Sequence, residues 1–129
     1  MAEWAEVQAW VRQSFQLDRD DPHEFALTVP RQAGAAREQR VMIRHYLAWD
    51  REMIEFRSAF GELDEAEAAV WLRESLQLPL GAIALHGRFL VVVHRECLAP
   101  LSVEDVLYLM SRVSLVADEL EERAGDDRF

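Results

Sequence analysis

Trp4, Val7, Val11 and Phe15 recur at spacings of three and four, while Glu3, Glu6 and Gln13 fall between them. At about 100° per residue those apolar positions share one stripe, which predicts an amphipathic first helix. Trp10 stands off that stripe, beside the acidic side. The period then shortens to two. Phe25, Leu27 and Val29 alternate with Ala26 and Thr28 until Pro30, and Val41, Ile43, His45 and Leu47 alternate with Met42, Arg44 and Tyr46. Each pattern predicts a strand with one buried face. A third strand is predicted over Met53 to Phe60, where Ile54 and Phe56 alternate with Glu55 and Arg57, although Ala48 to Phe60 also admits a helix. Strands this close in sequence form an antiparallel meander most readily.

Asp64 with Glu67 three residues on has the form of a capping box, and the acidic first turn suits the positive end of a helix dipole. The second helix so predicted buries Ala69, Leu72 and Leu76, turns Trp71 to the opposite side, and stops at Pro79. Gly81 to Leu85, the turn His86-Gly87 and Arg88 to Arg95 predict a hairpin, because glycine accepts the positive φ of a two-residue turn. The unbroken run Phe89 to Val93 predicts a strand buried on both faces, hence central in the sheet or covered. Ser102 caps the last helix, with Leu101 positioned to staple Val106. Val103, Val106, Met110, Val113, Ala117 and Leu120 form its stripe, widened by Leu107, Leu109 and Val116. The element order is α-β-β-β-α-β-β-α. The expected fold is α+β, a five-stranded antiparallel sheet with three helices, in one domain over residues 1–123 followed by a frayed tail over 124–129.

Composition is consistent with this and narrows function. The chain has 129 residues, half of them apolar, enough for one ordinary hydrophobic core. Its 24 acidic residues face 14 basic ones, all arginine, for a net charge of −10. Affinity for nucleic acid or anionic lipid comes chiefly from neutralising negative charge, so direct binding to either is not expected. No apolar run approaches the roughly 20 residues that span a bilayer. Met1-Ala-Glu-Trp4 has neither the basic head nor the apolar stretch of a signal peptide, and a cytoplasmic location is expected.

Candidate chemistry is sparse. The histidines are His23, His45, His86 and His94. His94 and Cys97 are three apart, which on a strand points them to opposite faces, and no second pair completes a four-coordinate metal site. Cys97 lacks the electropositive setting that makes a thiolate and reads as structural. Paired acids such as Glu65 and Glu67, or Asp126 and Asp127, sit at a helix start and in the tail. The five glycines are scattered, so there is no phosphate-binding loop. No catalytic residue, metal or cofactor is expected, and the chain reads as a non-enzyme.

The segment Leu76-Gln-Leu-Pro-Leu-Gly81-Ala-Ile-Ala-Leu-His-Gly-Arg-Phe-Leu-Val-Val-Val93, with the later helix entry Leu101-Ser-Val-Glu-Asp-Val-Leu107, resembles the helix-to-hairpin region of type III secretion chaperone-like proteins, including the YbjN-like group. Element order, length and acidity extend the likeness from Trp4 to Glu122. Ser75 or Gln77 stands where that family often has Asn, and His86 where Asp or Asn is usual in the turn. The resemblance implies a small acidic homodimer without catalytic activity that binds segments of a client protein through apolar grooves or a sheet edge. It also implies that the dimer forms around the second helix and the strand after it.

The four tryptophans refine that expectation. Trp4 suits the core. Trp10 and Trp71 lie off their helical stripes and Trp49 falls in a turn, and an indole left in water forfeits on the order of 2–3 kcal/mol of burial. Such residues mark contact surfaces. Val70, Trp71, Leu78 and Ile83 are the expected dimer contacts, and Trp4, Trp10, Phe25 and Trp49 the expected client contacts. The competing expectation is an acidic inhibitor, immunity-type or regulatory protein that masks a basic partner.

Overall fold

The computed structural model describes residues 3–30 and 38–124. Its elements, in chain order, are α1 (Trp4–Ser14), β1 (Leu17–Asp21), β2 (Glu24–Pro30), β3 (Glu38–Ala48), β4 (Arg51–Glu62), α2 (Ala68–Gln77), β5 (Ala82–His86), β6 (Phe89–Cys97) and α3 (Val103–Ala124). A short 3-10 turn over Glu65–Glu67 leads into α2. The strands form one antiparallel sheet in the order β1-β2-β3-β4-β6-β5.

The class is therefore α+β with three helices, but the sheet has six strands where five were expected. The additional strand is β1, Leu17-Asp-Arg-Asp-Asp21. Four of its five residues are charged, so it carries no apolar alternation to read. It pairs with β2 through Leu17 opposite Leu27 and Asp20 opposite Phe25. Arg12 of α1 donates from Nε to Asp20 Oδ2 at 2.7 Å, and Thr28 donates to Asp18 at 2.8 Å. Charge on an outer strand also discourages pairing with other chains.

The meander expected over β2, β3 and β4 is present. Phe25 faces Ile43, and Ile43 faces Phe56, so one set of alternating positions lines up across three strands. Those side chains, with Leu27, Val41, Ile54 and Phe60, join the buried cluster formed with the helices. α3 lies across β4, β3 and β6. α1 enters through Trp4, whose ring stacks on Phe25 at 5.2 Å and whose Nε1 donates to the Pro22 carbonyl at 2.8 Å. Residues 43, 56 and 25 thus mark the helix-covered face, and the positions between them, such as Met42, Arg44, Glu55 and Arg57, lie on a face that carries no helix.

α2 is rotated from its expected phase. Its sheet-facing stripe is Ala68, Trp71, Ser75 and Leu78, whose spacings of three and four are as helical as those of Ala69, Leu72 and Leu76. Trp71 is only 8% exposed and meets Phe60 edge-on at 5.2 Å, while Ser75 Oγ accepts from the Ile83 amide at 2.9 Å. Leu72 and Leu76 face outward. The pattern contained two apolar stripes, and the larger side chain with a partner on β4 took the inner position.

The Ser102 cap is as expected, but the Asp64–Glu67 box does not form on α2: Asp64 caps the 3-10 turn instead, and Glu67, at the N-cap of α2, makes no side-chain cap hydrogen bond. Asp64 accepts from the Ala66 amide, and Ser102 and Asp105 exchange side-chain-to-amide hydrogen bonds at the start of α3. Of the tail expected over 124–129, Ala124 ends α3 and residues 125–129 lie outside the described residues, as do 31–37. Among the described residues no helix is long and apolar enough to cross a membrane.

Candidate functional site

Two surfaces stand out, one apolar at the β5 edge and one charged on the helix-free face. The first begins with the stripe that α2 leaves uncovered. Leu76 is 85% exposed and Leu72 69%, with Val70 and Leu85 also largely in water. Between α2 and β5 runs a groove of about 260 Å³, lined by Leu63, Ala68, Trp71, Leu72, Ile83, Ala84, Leu85 and Leu90. Alongside it lies the sheet edge. Among the described residues β5 pairs with β6 alone, and its sequence Ala82-Ile-Ala-Leu-His86 carries no acid and no arginine. The opposite edge, β1, is guarded by four charges. Among the described residues, then, the β5 edge is the one open to a further strand.

The expected dimer contacts all fall here, in different roles. Val70 is exposed on α2. Trp71 and Ile83 form the floor of the groove and are buried, so they support a contact from below. Leu78 is half-buried at the helix end. The residues with most surface to offer here are Leu72 and Leu76 on α2, which the sequence pattern was expected to bury, and Leu85 on β5.

The expected client contacts do not converge. Trp4 and Phe25 are core residues stacked on each other and present no surface to a partner. Trp10 is half-buried, edge-on to Phe15 at 6.1 Å. Trp49 alone is fully in water, 96% exposed at the tip of the β3–β4 turn, next to exposed Leu47. Trp49 and Asp50 both have positive φ, 52° and 61°. That conformation suits Asn-Gly and costs an indole-bearing residue energy, so the turn holds its tryptophan outward against its own backbone preference.

The second surface centres on Glu55, 1% exposed on the helix-free face. Its Oε1 accepts from Arg44 Nη2 at 3.0 Å and from Arg95 Nε at 2.7 Å. Arg57 Nη1 lies 3.4 Å from Oε2 and its Nη2 3.8 Å from Glu24. Burial works to raise the Glu55 pKa, but the hydrogen bonds from Arg44 and Arg95 and their charges outweigh it and hold the carboxyl below its ordinary range. Arg44 also lies over the Tyr46 ring, 4.3 Å from its centroid. This network was not singled out from the sequence. Its signal was there in Arg44, Glu55 and Arg57, which alternate with core residues on adjoining strands.

The remaining polar candidates have local partners. His94 Nε2 pairs with Glu96 at 2.8 Å, and Cys97 Sγ lies 3.8 Å from Met53 Sδ. His23 and His45 meet Nδ1 to Nδ1 at 3.3 Å, with His45 Nε2 on Glu52 at 3.0 Å. Among the described residues no group of three or more His, Cys, Asp or Glu side chains is arranged to hold a metal ion. No protein-family model matches the chain, and no curated protein matches it.

Proposed function

We propose that this chain is a non-enzymatic protein-binding module, of the secretion-chaperone-like or YbjN-like kind it resembles, that pairs as a homodimer through α2 and β5 and binds a segment of a client protein. The observation that carries this reading is the exposed leucine stripe of α2 beside an uncharged sheet edge. Covering Leu72, Leu76 and Leu85 gains on the order of 1.5–3 kcal/mol for each side chain fully buried. A second copy is the occupant assigned to this surface. A strand pairs antiparallel with its own copy about a two-fold axis, and the same axis lays each leucine stripe against the other. Trp49, and the reachable side of Trp10, remain outside that contact for a client.

Light scattering at micromolar concentration should give a mass near twice the 14.9 kDa of the chain. Leu76→Glu should halve it without changing the melting temperature of the monomer fold, because the side chain is 85% exposed in its own subunit. A monomeric wild type rejects the dimer. Affinity capture with mass spectrometry should recover a client at both low and high salt, and Trp49→Ala should lose it. The net charge of −10 favours a second reading, an acidic inhibitor or regulator of a basic partner. In that case the captured partner is basic and is released as salt rises.

A further inference from the structure

The helix-free face holds a groove of about 310 Å³ that shares only His86 with the β5 edge of the proposed dimer and none of the client contacts above. Cross-strand pairing builds it: Met42 lies opposite Arg57, Ala59 opposite Val91, and His86 opposite Phe89. Met42, Ala59, Phe89 and Val91 supply an apolar floor, and Arg40 joins Arg57 and His86 among the lining residues. Among the described residues no carboxylate lines it, in a chain of net charge −10. Arg57 pairs with Glu55 at 3.4 Å and Glu24 at 3.8 Å and donates from Nη2 to Met42 Sδ at 2.9 Å, which fixes its position in the groove. Arg40 is exposed and forms no ion pair among the described residues.

The geometry points to a binding site for a small amphipathic carboxylic acid, its apolar body on Met42, Ala59 and Val91 and its carboxylate on the Arg40 guanidinium, with Arg57 beside it. The size is at the lower end of small-molecule sites, about 300–1,000 Å³, and such sites combine an apolar lining with few convergent polar groups. A guanidinium offers two parallel donors that match the two oxygens of a carboxylate. A cation would meet the Arg40 guanidinium, and a neutral alcohol would leave it unused. Phosphate alone would leave the floor wet.

The test compares octanoate, octan-1-ol, octylamine and inorganic phosphate by calorimetry, with methyl NMR of Met42 and Val91 to locate binding. Octanoate should bind saturably, one per chain, at least tenfold more tightly than the other three. Arg40→Gln should weaken it tenfold or more, and Ala59→Leu should block the floor without altering charge. Leu76→Glu, on the other side of the sheet, should leave binding unchanged, so the site stands or falls separately from the dimer. Equal affinity for octanoate and octan-1-ol, or octanoate binding indifferent to Arg40→Gln, overturns the proposal. So does binding of an N-acetylated, C-amidated Leu-Glu-Leu peptide in place of octanoate, which would assign the groove to a protein segment.

Discussion

Glu55 shows how a charged residue is kept inside a sheet face. Burying a carboxylate is costly unless donors surround it, and three strands deliver Arg44, Arg57 and Arg95 to its two oxygens. Because Arg44 and Arg95 are themselves partly in water, the cost of Glu55→Gln should be about 1–2 kcal/mol at neutral pH, read from urea unfolding. The folded pKa lies below the unfolded one, so this contribution is complete above the ordinary carboxylate value of 4.5 and is lost as pH falls through the lowered folded value. The stability gap between wild type and Glu55→Gln should therefore close on acidification. Trp49 and Asp50 pose the converse case. Left-handed backbone costs an ordinary residue roughly 1–2 kcal/mol. Replacing the pair by Asn-Gly should raise stability by about that amount in the same assay, and should abolish client capture if the indole is what the strained turn exists to present. Neither feature was open to sequence reading at this resolution. Alternation placed Glu55 and Trp49 on a strand and in a turn, but partners on other strands and the sign of φ belong to the folded chain.

At the scale of elements, the strands of the meander, the β5–β6 hairpin and all three helices were legible because each carries a single dominant period or a clear stop. Two features were not. β1 has no apolar alternation and is held by pairing with β2 and by contacts from α1, both of which depend on tertiary structure. α2 carries two stripes of equal spacing, and partners on the sheet, such as Phe60 for Trp71 and the Ile83 amide for Ser75, decide which turns inward. That ambiguity misplaced Trp71, and it also contained the exposed surface on which the proposed dimer rests. The hairpin behind that surface depends on Gly81, which has φ of 70° and whose place a Cβ could occupy only 2.6 Å from the Val93 carbonyl oxygen. Gly81→Ala should cost about 2 kcal/mol or more, the sum of a left-handed backbone and a clash with fixed main chain, measured by denaturant unfolding. Because β5 would shift with it, the variant should also lose the dimer at concentrations where it remains folded.

For the whole molecule, charge and apolar surface pull in opposite directions. Two copies each carrying −10 repel one another, and in the proposed dimer the opposing attraction resides in leucines whose burial does not depend on charge. Salt shortens the reach of the repulsion, to a Debye length of about 10 Å at 0.1 M and about 3 Å at 1 M, and leaves burial of Leu72, Leu76 and Leu85 intact. Self-association should therefore tighten several-fold as ionic strength rises, as measured by sedimentation equilibrium over that range. A chain whose purpose is to mask a basic surface behaves oppositely with its partner, since complementary charge is the attraction that salt removes. The two curves test the two readings separately: partner binding that weakens with salt supports the masking reading, whereas a dimer that weakens with salt would mean that ion pairs rather than the α2 leucines join the copies, and the apolar edge would then need another occupant.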